Sequence, residues 1–171
     1  MKLKILFLML FLTPSASAYV RQEPSSRFGA LEIKSDEDRL NHRLLLNGKA
    51  ILQYEGQSIE VLSVLRGSGR DYAIVATYSG GIACPAQVVI IELYKGERYR
   101  KSEEFGSCSD LINAKLIKGR VIVETPTYTP HPDVMSKKEL RKRQATKEVY
   151  IWYRGRLSER TMLRERSTLR Y

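Results

Sequence analysis

The sequence is poor in the residues that build metal and covalent chemistry, with two cysteines and two histidines among 171 residues. Structural zinc asks for about four Cys or His ligands at recognisable spacing. Cys84, Cys108, His42 and His131 are scattered, so no metal site is expected. A cysteine nucleophile needs a general base, usually His, oriented by a third group, and no local motif couples either histidine to either cysteine. A G-x-S-x-G elbow is missing, as is a glycine-rich phosphate loop of the proper spacing. Asp36-Glu37-Asp38 lacks the glycine and distal glutamate of a calcium loop and reads as a solvated turn. Glu103 and Glu104 are adjacent at a strand end, where neighbours point to opposite faces, so they make poor acid–base partners. Asp110, beside Ser107 and Ser109, reads as a turn former. No cofactor is expected.

Long apolar runs are also missing, apart from Ile5 to Leu12. Eight residues are too few to cross a bilayer as a helix, which takes about 20. The run follows the basic Met1-Lys2-Leu3-Lys4, and Thr13-Pro14 and Ala16-Ser17-Ala18 come after it. That order of basic, apolar and small residues is the pattern of a cleaved signal peptide. Cleavage is expected after Ala18, which leaves a soluble periplasmic or secreted domain at residues 19–171 with no transmembrane segment. No cysteine follows the cleavage site, so a lipid-anchored form is not expected.

What the chain does have is a succession of short apolar runs between glycine-marked turns, at Asn47-Gly48, Ser68-Gly69, Gly80-Gly81, Lys95-Gly96, Lys118-Gly119 and Arg154-Gly155 among others. Glycine accepts the positive φ of tight hairpins, and Asn-Gly is the strongest such signal. Strands are expected near 28–34, 42–46, 49–54, 58–66, 71–78, 85–94, 98–104, 111–117, 120–125 and 148–154. Val88-Val89-Ile90-Ile91 has no polar alternate, so both faces of that strand are expected to be covered. The fold class is mainly β, an antiparallel meander forming a sandwich or a barrel, with a short helix near the C-terminus. Ser136-Lys137-Lys138-Glu139 is a capping box opening that helix, which spans Leu140 to about Ala145. Prolines 126, 130 and 132 exclude a central strand from residues 126–132 and predict an exposed loop. Nothing in Arg160 to Tyr171 assigns that tail to strand or helix.

The cysteines fit a staple. With a two-residue turn at Lys95-Gly96, position 84 lies opposite 107, one residue short of Cys108, and a one-residue bulge brings the pair into register. An oxidising compartment makes a Cys84–Cys108 disulfide the default outcome.

Charge is uneven. Residues 19–135 hold 15 basic and 15 acidic side chains, whereas residues 136–171 hold 12 basic and 4 acidic ones. The excess falls on Lys137, Lys138, Arg141, Lys142, Arg143 and Lys147, then on arginines running to Arg170. Nucleic acid is not the expected polyanion for an exported chain. With Tyr128 and His131 of the proline-rich loop, those six residues form the expected partner-binding surface, since irregular loops on a β scaffold carry specificity.

Gly80-Gly81-Ile82-Ala83-Cys84-Pro85, followed by Phe105-Gly106-Ser107-Cys108-Ser109-Asp110, resembles small exported proteins of Gram-negative bacteria that share a GG-x-x-CP…FG-x-CSD pattern. The resemblance covers about 45 residues and implies a β-rich periplasmic domain with this disulfide, and no activity. The expected function is an exported, non-catalytic binding protein, an inhibitor or immunity-type partner of an envelope protein. The alternative is a binding module for anionic envelope polymers or lipids. A third reading, an envelope hydrolase, would need a pocket gathering His131 with Asp110 or Glu103.

Overall fold

A computed structural model describes residues 19–22, 24–80, 84, 86–127 and 136–163. The expected signal peptide, Tyr128 and His131 lie outside the described residues. Among the described residues no helix is long and apolar enough to cross a membrane.

The chain forms three antiparallel sheets, each a four-stranded meander built from one continuous stretch. The first holds β1 (Tyr19–Gln22), β2 (Leu31–Ser35), β3 (Asn41–Leu46) and β4 (Lys49–Glu55). The second holds β5 (Ser58–Gly67), β6 (Arg70–Tyr78), β7 (Gln87–Tyr94) and β8 (Arg98–Lys101). The third holds β9 (Asn113–Ile117), β10 (Arg120–Pro126), β11 (Thr146–Tyr153) and β12 (Arg156–Leu163). Helix α1 (Lys137–Gln144) lies in the connection between β10 and β11.

The fold is therefore mainly β, and the strands close no barrel. The second sheet lies between the other two. Leu31, Ile33, Leu44 and Leu46 of the first sheet pack with Ala73, Val75, Val89 and Ile91 of the second in one core. The alternate residues Tyr72, Ile74, Val88 and Ile90 pack with Val121, Val123, Tyr150 and Trp152 of the third sheet in another. Period-2 alternation therefore feeds two cores from one pair of strands. Every residue from Asp71 to Thr77 is buried, as is every one from Val88 to Leu93, which is the covering that the apolar run in β7 predicts.

Turn chemistry follows the sequence closely. Asn47-Gly48, Lys118-Gly119 and Arg154-Gly155 each place two residues at positive φ, the geometry of a two-residue hairpin turn. The turn after β7 is longer than expected. Lys95-Gly96-Glu97 is a three-residue turn with Tyr94 opposite Arg98, because Glu97 itself takes a positive φ of 57°. β8 ends at Lys101 rather than at residue 104, and the returning chain bonds again where Val88 faces Phe105.

Two polar groups hold the flanks. His42 is buried; its Nε2–H donates to the Gly56 carbonyl at 3.1 Å, leaving Nδ1 to accept from the Ser35 hydroxyl at 2.8 Å. Asp71 is fully buried and accepts from Arg27 Nε at 2.9 Å, Arg27 Nη2 at 2.6 Å and the Arg27 backbone N–H at 2.7 Å.

Candidate functional site

Helix α1 starts where the sequence signals it. The Ser136 side chain accepts from the Glu139 backbone N–H at 3.3 Å, satisfying one of the donors that a helix start leaves open. The helix begins at Lys137, three residues earlier than Leu140, because the lysines after the cap are helical too. Its only apolar side chain, Leu140, is half-buried, while Lys137, Lys138, Glu139, Arg141 and Lys142 are exposed.

The charges on this helix are unusual in their spacing. Lys137 and Arg141 are four residues apart, as are Lys138 and Lys142, so two like-charged pairs share adjacent rows. Each such pair costs a few tenths of a kcal/mol, offset in part because cations suit the last turn of a helix. None of these four residues has a carboxylate partner among the described residues.

A groove of about 690 Å³ runs between α1 and the third sheet, lined by Lys138, Glu139, Lys142, Arg143, Thr146 and Thr161 together with Ser136. One wall is cationic and the other is β12, an edge strand. Lys147 is not part of it. Thr146 and Lys147 point to opposite faces of β11, and Lys147 Nζ pairs with Glu124 at 3.2 Å, beside Lys115 at 3.0 Å from the same oxygen. Burial opposes the charge on Glu124, but hydrogen bonds from the two lysines, reinforced by their charges, outweigh it and hold the carboxyl below its ordinary value.

A second cleft, of about 630 Å³, adjoins the same strands and has the opposite sign. Glu103, Glu104, Glu148 and Glu159 line it with Phe105, Cys108 and Tyr150. Tyr150 donates to Glu148 Oε2 at 2.6 Å. Burial first, then this bond and the nearby carboxylates, push its phenol well above the usual tyrosine value. Since β8 stops at Lys101, Glu103 and Glu104 do not alternate across a strand; both line clefts on either side of residues 102–105. Among the described residues no group of three His, Cys, Asp or Glu side chains could hold a metal ion.

Cys84 and Cys108 are bonded, with Cα atoms 4.3 Å apart. Cys108 has a φ of 59°, and Ser107 is fastened through its hydroxyl to Thr125 Oγ1 at 2.7 Å and to the Pro126 carbonyl. The disulfide therefore anchors the strand-free segment 102–112 to the start of β7 while the serine ties it to β10. It sits at the rim of the acidic cleft in a structural role, with both sulfurs committed.

The basic C-terminal region that reads as one feature in sequence is two patches in space. α1 sits at the Thr146 end of β11, and the Arg154-Gly155 turn follows the other end at Tyr153. The ends of this eight-residue strand are about 23 Å apart at the usual rise per residue. The second patch contains Arg100 and Arg120, which sequence reasoning placed in a neutral region. Only the pairing of β10 with β11 and the packing of the second sheet against the third reveal them. Compared with protein-family models, with curated proteins and with solved structures, the chain matches none.

Proposed function

We propose that this protein is an exported, non-catalytic binding protein, an inhibitor or immunity-type partner, that seats an acidic segment of another protein in the groove beside α1. The observation that carries this reading is the groove itself. Lys138 and Lys142, along one wall, have no carboxylate partner among the described residues, and the exposed edge strand β12 forms the other. Cationic clusters recognise acidic segments, and an edge strand offers main-chain bonds to an extended one. The two like-charged pairs on α1 cost helix stability without a partner and lose that cost when carboxylates arrive. Thr127, hydrogen-bonded to Thr146, and Ser136 both lie at this groove.

Affinity capture from a periplasmic extract with the mature chain, beside the Lys138→Glu/Lys142→Glu variant, tests the reading. A protein retained by the first and lost by the second is expected, and the complex is expected to survive moderate salt as a packed interface does. A partner retained equally by both would refute the assignment.

A further inference from the structure

At the end of the molecule opposite α1 the two hairpin turns of the third sheet stand side by side, because Arg120 of β10 neighbours Tyr153 of β11. Arg120 and Arg154 each hold a guanidinium carbon 5.1 Å from the centroid of the Tyr153 ring. Arg100 of β8 reaches across to donate to the Arg154 carbonyl at 3.2 Å. A Cβ at Gly155 would fall 2.0 Å from Arg100 Nη1, so glycine is what lets the two sheets come this close. Lys118 and Arg156 complete the group at the two turns.

None of these five cations has a carboxylate partner among the described residues. Two guanidinium groups gathered on one phenol ring repel each other, and an anion placed between them removes that cost. The same tips leave Tyr153 38% and Ile117 44% exposed, and Tyr99 beside Arg100 is 40% exposed. Half of the six large apolar side chains that the described residues leave exposed are therefore at this end. Tyr99 lines a pocket of about 370 Å³ with Tyr94, Arg98 and Arg100, whereas Ile117 and Tyr153 end the strands that lead into the two turns of the third sheet.

We infer that this end docks onto an anionic lipid bilayer. A protein partner of high affinity needs pockets to desolvate its anchors, whereas Ile117 and Tyr153 are exposed strand ends beside two hairpin tips. A bilayer interface deforms around such tips. Tyrosine and isoleucine partition to the boundary between headgroups and acyl chains, and the arginines meet lipid phosphates. This surface is separate from the groove beside α1 and does not depend on the function proposed for it.

Co-sedimentation of the mature protein with vesicles of phosphatidylcholine alone, or of phosphatidylcholine with phosphatidylglycerol, tests the inference. Binding is expected only with the anionic lipid, weakening as salt rises. The Arg120→Ser/Arg154→Ser/Arg156→Ser variant is expected to lose about a hundredfold in partitioning, at about 1 kcal/mol per cation near an anionic surface. The corresponding triple change to lysine keeps the charge and is expected to retain most of the binding, which separates lost contact from lost folding. Tyr153→Ser is expected to weaken binding severalfold at unchanged charge. Equal sedimentation with both vesicle types would overturn the inference, and so would unchanged binding of the triple serine variant. Loss of vesicle binding in Lys138→Glu/Lys142→Glu, with the tip variant unaffected, would move the lipid contact to α1 and equally overturn it.

Discussion

Trp152 donates its indole N–H to Glu92 Oε2 at 3.3 Å, tying the third sheet to the middle one inside an apolar interface. Glu92 is fully buried, and its other oxygen accepts from Arg70 Nη1 at 2.6 Å. Both carboxylate oxygens are thus occupied, which is the condition for burying a charge without a large penalty. The Arg70 guanidinium carbon also lies 5.6 Å from the ring centroid of Tyr94, so one arginine contacts both the carboxylate and the ring.

Breaking this link is expected to separate two effects. Glu92→Ala removes the buried anion; Arg70, whose side chain is 39% exposed, can turn to water, and the cost, expected at about 1–3 kcal/mol, falls on the Trp152 N–H left without an acceptor. Trp152→Phe keeps much of the ring packing but strands one carboxylate oxygen, costing about 2–3 kcal/mol. Urea unfolding monitored by circular dichroism measures both. A Trp152→Phe variant as stable as the parent would mean that the indole bond carries nothing.

The Arg27–Asp71 pair is expected to be asymmetric. Asp71 is fully buried, whereas the Arg27 side chain is 43% exposed. Arg27→Ala leaves a buried carboxylate without its countercharge and is expected to cost about 3–5 kcal/mol. Asp71→Ala leaves a guanidinium that turns to water, so it is expected to be the milder change by a kcal/mol or more. Thermal unfolding of the two single variants decides the order, and the reverse order would contradict this account.

Cys84→Ser/Cys108→Ser is expected to lower stability by about 3 kcal/mol, since the bridge closes a loop with a sequence separation of 24. The non-reduced parent protein is expected to show no reactive thiol under denaturing conditions. Two titratable thiols in mass spectrometry after alkylation would remove the staple.

Stability is expected to fall on the alkaline side. Tyr150, Tyr72 and Tyr94 all have phenols raised above the usual value, burial being the leading cause in each. Their contribution is fully present below the unfolded value of about 10 and is lost as pH rises through the folded values. In Tyr150→Phe the loss of melting temperature between about pH 9 and pH 11 is expected to be smaller than in the parent. Parallel curves for the two proteins would show that Tyr150 is not a source of the alkaline loss.

Most of the strands were legible because hairpins are local. Asn47-Gly48 and Lys118-Gly119 announce their turns, and the apolar run from Val88 to Ile91 announces a strand with two dry faces. β12 was not legible, since Arg156 to Leu163 is rich in charge and becomes a strand by pairing along the whole of β11. The register after β7 was misjudged by one residue because a glutamate, Glu97, occupies the left-handed region usually left to glycine or asparagine. For the site, sequence located α1 and its lysines. It did not show that Lys147 turns to the opposite face, nor that Arg100 and Arg120 join Arg154, because both facts depend on which strands become neighbours.

The two central strands of the middle sheet, β6 and β7, have no wet face, and this is expected to order the assembly of the chain in time. The first sheet is complete by Glu55, but its apolar face has nothing to cover it until β5, β6 and β7 exist. Residues 19–101 then leave Tyr72, Ile74, Val88 and Ile90 uncovered until β10 and β11 arrive. A chain delivered from its N-terminus is therefore expected to pass through a two-layered intermediate whose apolar side awaits the last third of the sequence. That intermediate is the species a holding chaperone would recognise. In the finished protein the amides of β6 and β7 are the ones expected to exchange with deuterium last, by global opening alone.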